Sequence, residues 1–155
     1  MRTLMMSLLV SLLAPAILRA QTPEENDALV VVTRLFDGMR AGDSTMVRST
    51  LDPSARLVSA FEREGVPVLQ SESMDGFVAA VGSPHEKVWD ERIWDTEVRI
   101  DDRLATVWTQ YAFFLGPDFS HCGVDAFQLF RGEEGWKIFQ IADTRRHEGC
   151  DTGPE

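Results

Sequence analysis

Between Trp108 and Cys150, polar and titratable side chains sit inside otherwise apolar, strand-forming sequence. Asp125 and His121 are the acid–base candidates. A carboxylate on an apolar sheet face resists ionisation, and a carboxyl with a raised pKa can take and return protons near neutral pH. Imidazole changes charge in the same range. If the protein is an enzyme, Asp125 and His121 are its expected catalytic residues. The competing expectation is that they hydrogen-bond each other, or backbone, near the sheet end. Tyr111, the only tyrosine, either offers its hydroxyl to a ligand oxygen or packs its ring and bonds locally. Trp108 presents a planar face for stacking, and Gln110 and Gln140 present amides. The expected ligand-binding set is therefore Trp108, Gln110, Tyr111, His121, Asp125 and Gln140.

Other chemistries find no template. The serines lie in no Gly-x-Ser-x-Gly elbow, and His85, His121 and His147 are scattered without paired-ligand spacing. There is no glycine-rich phosphate loop. No metal and no cofactor is expected. Cys122 and Cys150 are the only cysteines. They either pair or remain two free thiols. A bridge would close a loop of about 28 residues and contribute about 3 kcal/mol by restricting the unfolded chain.

Strands must position these residues. Leu104 to Leu115, His121 to Arg131 and Trp136 to Arg145 read as an antiparallel meander, preceded by a strand from Val88 to Ile100. Period two then sorts side chains by face. With tight loops over 116–119 and 132–135, Trp108, Gln110, Phe114, His121, Asp125, Phe127, Ile138 and Gln140 share one face. Gln110 would sit opposite Asp125. Tyr111, Phe113, Cys122, Val124, Gln128, Phe139, Ile141, Asp143 and Arg145 share the other, where Asp143 and Arg145 read as a solvated or cross-strand ion pair. A bulge would swap part of this assignment.

Upstream, Leu29, Val32, Leu35, Phe36 and Met39 recur at helical spacing after a cap at Asn26 or Asp27, and Gly42 stops the helix. Asp43-Ser44 caps a second short helix that ends at Asp52-Pro53. Arg56 to Phe61 and Val66 to Gln70 form a hairpin, and a helix capped by Ser71 or Ser73 follows. Helices followed by a long antiparallel sheet predict an α+β domain.

The first 20 residues read as a secretory signal peptide, with Arg2 ahead of an apolar run to Leu18 and a small residue, Ala20, at the expected cut. Residues 21–150 are expected to form one domain and 151–155 a tail. The expected destination is export, periplasmic or secreted, with no membrane contact after cleavage. The chain carries a formal charge of -10, and loss of Arg2 and Arg19 takes it to about -12. Such a charge repels nucleic acid and anionic lipid and tolerates neutral or cationic partners.

The element order resembles the nuclear-transport-factor-2-like superfamily across most of the expected domain. The resemblance is carried by Tyr111, Ser120-His121-Cys122-Gly123, Asp125, Gly135-Trp136-Lys137-Ile138, Asp143-Thr144-Arg145 and Gly149-Cys150. It is similar above all to the exported, lumazine-binding-like branch. The superfamily includes ketosteroid isomerase, scytalone dehydratase and SnoaL-like cyclases. The resemblance implies a cone-shaped α+β fold, with N-terminal helices packed on a curled antiparallel sheet around a pocket. It also implies homodimers. Three functions follow as expectations. The first is an exported binder of a small hydrophobic or aromatic molecule. The second is an isomerase or dehydratase using Asp125 or His121 as general base. The third is a dimeric interaction module.

Overall fold

The computed structural model describes residues 21–154. The expected signal peptide, residues 1–20, lies outside the described residues. Helix α1 spans Pro23–Ala41. It begins earlier than Asn26, because Thr22 and Glu25 form a capping box: the Thr22 hydroxyl accepts from the Glu25 amide at 3.2 Å, and the Glu25 carboxylate accepts from the Thr22 amide at 2.7 Å. Pro23, at the first helical position, has no amide left to satisfy. Ala28, Val32, Leu35, Phe36 and Met39 form its buried stripe. Gly42 ends it in the left-handed region, at φ 65°.

Asp43 caps helix α2, Ser44–Thr50, by accepting from the Met46 amide at 2.9 Å. Strand β1 then runs over Leu51–Arg63, so Pro53 lies in a strand rather than beyond a helix end. The register of β1 breaks between Leu51 and Arg56, and that irregularity accommodates a residue without an amide hydrogen. Strand β2 spans Val66–Glu72. Helix α3 spans Met74–Val81 and is capped by Ser73. Four long strands follow: β3, Trp89–Asp101; β4, Leu104–Leu115; β5, Asp118–Gly132; and β6, Gly135–Arg145.

The six strands form one sheet in the order β2-β1-β6-β5-β4-β3. Every neighbouring pair is antiparallel except β1 with β6. The helices pack on one face, which makes the molecule α+β as expected. The sheet curls around them, helped by register breaks in β3–β4, β4–β5 and β5–β6. The core joins Val32, Leu35 and Phe36 of α1 to Val107, Phe127, Leu129 and Ile138 of the sheet. Phe36 meets Phe127 edge to face at 5.9 Å.

A disulfide joins Cys122 to Cys150. Backbone hydrogen bonds between Cys122 and Arg146, both 3.0 Å, hold the chain beyond β6 against β5 at the same point. The bridge is compatible with export. Among the described residues, no helix is long and apolar enough to cross a membrane.

Candidate functional site

The core is incomplete at the end of the sheet beyond Phe127. A cavity of about 650 Å³ opens there between the concave sheet face, α1 and α3. Leu35, Phe36 and Met39 come from α1, and Phe77 and Ala80 from α3. On the sheet, period two brings alternate residues to the cavity: Trp89 and Glu91 from β3, and Tyr111 and Phe113 from β4. His121 and Asp125 come from β5, and Ile141, Asp143 and Arg145 from β6. The walls are apolar and aromatic, while the polar groups gather on the sheet.

Three members of the expected set, Tyr111, His121 and Asp125, line this cavity. Trp108, Gln110 and Gln140 are not among its lining residues, which corrects the sheet face on which they were expected. Trp108 is 55% exposed on the outer face. The Gln110 amide donates to Asp95 at 3.1 Å, and the Gln140 carbonyl accepts from Arg56 at 3.2 Å. Two one-residue bulges explain the error. Leu115 pairs with Asp118 around a two-residue turn, and Ser120 is then skipped, so that Phe113 pairs with His121. The partner of Asp125 is accordingly Thr109, not Gln110. In β6, Phe139 is skipped between the pairs Leu129–Ile138 and Gln128–Gln140. That bulge turns Gln140 outward and brings Ile141, Asp143 and Arg145 in beside Asp125. Asp143 and Arg145 thus belong to the cavity rather than to a solvated face.

Asp125 is 3% exposed. Among the described residues, its Oδ2 is buried without a hydrogen-bond donor. The group that interacts with it is a second carboxyl, Glu91. Two carboxylates are both acceptors, so they satisfy each other only with a proton between them. Burial, and then the charge of Glu91, hold Asp125 well above the usual carboxylate range. Burial also raises Glu91, to about 7. The two titrate as a pair that retains a proton around neutral pH.

Asp143 is held differently, by donors. Ser59 donates to its Oδ1 at 2.6 Å, and Arg145 Nε donates to its Oδ2 at 2.8 Å. Arg145 also reaches Glu72 at 3.7 Å. Burial works against the Arg145 charge, but the hydrogen bond and charge of Asp143 outweigh it, and its pKa rises. The Tyr111 hydroxyl donates to the Thr144 carbonyl at 2.8 Å. Its ring faces the cavity while its proton is engaged by backbone, and burial raises its pKa. His121 stacks near Phe113 and Tyr111, with centroids 5.1 and 5.7 Å away. Ser120 Oγ lies 3.0 Å from its Nδ1. Burial, then Arg145, push His121 down to about 4, so the ring is neutral at ordinary pH. His121 thus meets Ser120 and Asp125 meets Glu91, rather than each other as the competing expectation had it.

Glu91, like Asp143 and Arg145, lines the cavity without being among the residues expected there. Its signal was present: Trp89, Glu91 and Ile93 alternate on one strand, which puts Glu91 on the face of its two apolar neighbours. Among the described residues, no three His, Cys, Asp or Glu side chains converge as a metal site.

Comparison with known proteins places the fold and stops there. No family model and no curated protein matches the chain. Solved structures do. A nuclear-transport-factor-2-like protein with a cystatin-like fold from Novosphingobium aromaticivorans aligns with a TM-score of 0.64 at 10% identity, over 82% of this chain and 84% of that one. A candidate dehydratase of the same family from Streptomyces avermitilis aligns at 0.60 and 15% identity, over 80% and 96%. A candidate ketosteroid isomerase from Shewanella frigidimarina aligns at 0.57 and 14%, over 78% and 97%. The fold is therefore the nuclear-transport-factor-2-like cone. At such identities the likeness speaks for architecture alone.

Proposed function

We propose that the protein is an exported binder of a small hydrophobic or aromatic molecule, held in the cone with its polar group towards Glu91 and Asp125. The observation that carries this reading is the cavity itself, an apolar hollow of about 650 Å³ with convergent polar groups on one wall. Binding sites for small molecules have this make-up: apolar walls supply affinity, and a few placed polar groups fix orientation. His121, neutral at ordinary pH, adds an uncharged edge, and Tyr111 adds a ring. Native mass spectrometry of protein purified from its own host tests the proposal. A non-covalent small-molecule adduct is expected, and Ala80→Trp, which fills the cavity from α3, removes it. An adduct that survives Ala80→Trp, or no uptake of any apolar probe, contradicts the proposal.

A second reading is favoured by one observation, the two carboxyls of Glu91 and Asp125 brought together in the cavity wall, where burial raises both pKa values. A carboxyl pair poised near neutrality can remove a proton from one atom of a bound molecule and return it to another, as isomerisation or dehydration requires. On this reading Asp125 is the general base. His121 is the poorer choice, because burial and Arg145 keep it from taking a proton at neutral pH. Turnover that falls at least about a hundredfold in Asp125→Asn and little in His121→Gln supports it. The reverse order contradicts it.

A further inference from the structure

The geometry points to a protonated amine on an apolar or aromatic body as the ligand class of the cavity, with the ammonium group seated between the carboxyls of Glu91 and Asp125. This inference rests on the binding reading above and specifies the polar end of the ligand.

The first support is the unpaired oxygen. Asp125 Oδ2 is buried in the cavity wall without a donor, which is costly unless something supplies one. An ammonium brings three donors and a positive charge to the same place, and so satisfies Glu91 as well.

The second support is the balance of charge around the cavity. Glu91 faces it from β3, Asp125 from β5, Asp143 from β6 and Glu72 from the end of β2. Among the described residues, Arg145 of β6 is the one arginine or lysine in the lining, and Asp143 and Glu72 occupy its guanidinium. Tyr111 of β4 spends its proton on the Thr144 carbonyl, and His121 of β5 adds no positive charge at ordinary pH. The residues that α1 and α3 contribute carry no charge. The Arg145 charge is felt at Glu91 and Asp125, but its guanidinium is engaged by Asp143 and Glu72, which leaves the hydrogen-bonding capacity of the pair to a ligand.

The third support is the aromatic content. Trp89, Phe113, Tyr111, Phe36 and Phe127 surround the same space. Their ring faces attract a cation and lower the cost of stripping its water. An anion would meet carboxylates and ring faces, both repulsive.

Uptake of an ammonium replaces the proton that the carboxyl pair otherwise holds. Amine binding must therefore release a proton and tighten as pH rises. Below the range where the pair deprotonates, affinity should weaken by up to about tenfold per pH unit, while a neutral analogue gains nothing from alkali.

Isothermal titration calorimetry on the whole mature protein tests this with two probes of one shape. Tryptamine carries an ammonium, and tryptophol carries a hydroxyl in its place. At about pH 8, tryptamine is expected to bind at least about tenfold more tightly than tryptophol. That preference should shrink at about pH 5.5 and in Glu91→Gln, and buffers of different ionisation heat should show proton release on binding. Equal or tighter binding of tryptophol at about pH 8 overturns the amine assignment and leaves the binding reading standing. So does a failure of tryptamine to bind protein that takes up the neutral dye Nile red. If the dye, tryptamine and tryptophol all fail to bind, the cavity reading falls with it. The comparison in unaltered protein decides the matter even if Glu91→Gln folds poorly.

Discussion

Asp125 is at odds with its surroundings. A buried carboxyl with a bare oxygen beside a second carboxyl is stable only while protonated or while bound to a donor. Its pKa and that of Glu91 are raised in the folded protein, so their contribution to stability is full below the unfolded values of about 4 and is lost as pH rises from there through the folded values. We expect the melting temperature to fall between about pH 5 and 8, and Asp125→Asn to flatten that slope. Without the buried charge, Asp125→Asn should be about 1–3 kcal/mol more stable than the parent at about pH 8, as read by urea denaturation. A melting temperature that climbs over this window would mean that the pair is ionised and well solvated. His121 makes the opposite prediction. Its NMR titration should have a midpoint near 4, so His121→Gln should leave the pH profile above 5 unchanged. The sequence marked Asp125 and His121 because both lie in apolar strand sequence. It could not show that Asp125 meets Glu91, because that contact joins β3 to β5 across a curled sheet.

Strand and loop geometry decides which residues reach the cavity. The alternation of β4, β5 and β6 was legible, and Leu104–Leu115 starts and stops where its residues predict. The relative register was not legible, because the skipped residues Ser120 and Phe139 carry no sequence mark that distinguishes a bulge from regular strand. Trp108, Gln110 and Gln140 consequently turned out to face outward. Gly123 is the element-scale counterpart of Asp125. A Cβ there would stand 1.9 Å from the Thr144 carbonyl oxygen and 2.8 Å from the Tyr111 ring. Gly123→Ala must therefore separate β5 from β6 and break the Tyr111–Thr144 hydrogen bond. We expect a loss of about 4 kcal/mol or more, or failure to fold, measured by denaturant titration. A loss below about 1 kcal/mol would mean that the two strands are not packed as described. The disulfide acts at the same edge. Cys150→Ser removes a closure over a separation of 28 residues and should cost about 3 kcal/mol in oxidised protein. No change on reduction or substitution would show that the bridge does not form.

For the whole molecule, the curled sheet leaves one end of the cone unfilled while its centre is closely packed. Helix periodicity, strand alternation and turn residues pointed to an α+β domain, the resemblance implied that it is a cone, and the structure has that architecture. The cavity was legible only through the resemblance, since a void is a property of packing between α1, α3 and the sheet rather than of any one segment. The outer face has a different character. Trp108, Leu104 and Phe130 are exposed there. Trp108→Ser is expected to leave uptake of a cavity ligand within about twofold of the parent, because it lies on the other side of the sheet. A large loss of uptake would place the binding site on the outer face instead. The central claim is that an apolar cavity presents a proton-holding carboxyl pair to its ligand. The most direct test is carbon-detected NMR of the Glu91 and Asp125 carboxyls across pH, with and without Nile red. The account predicts a Glu91 midpoint near 7, an Asp125 midpoint well above the usual carboxylate range, and movement of both when the dye enters. Two carboxyls that titrate in the ordinary acid range, indifferent to the dye, would contradict it.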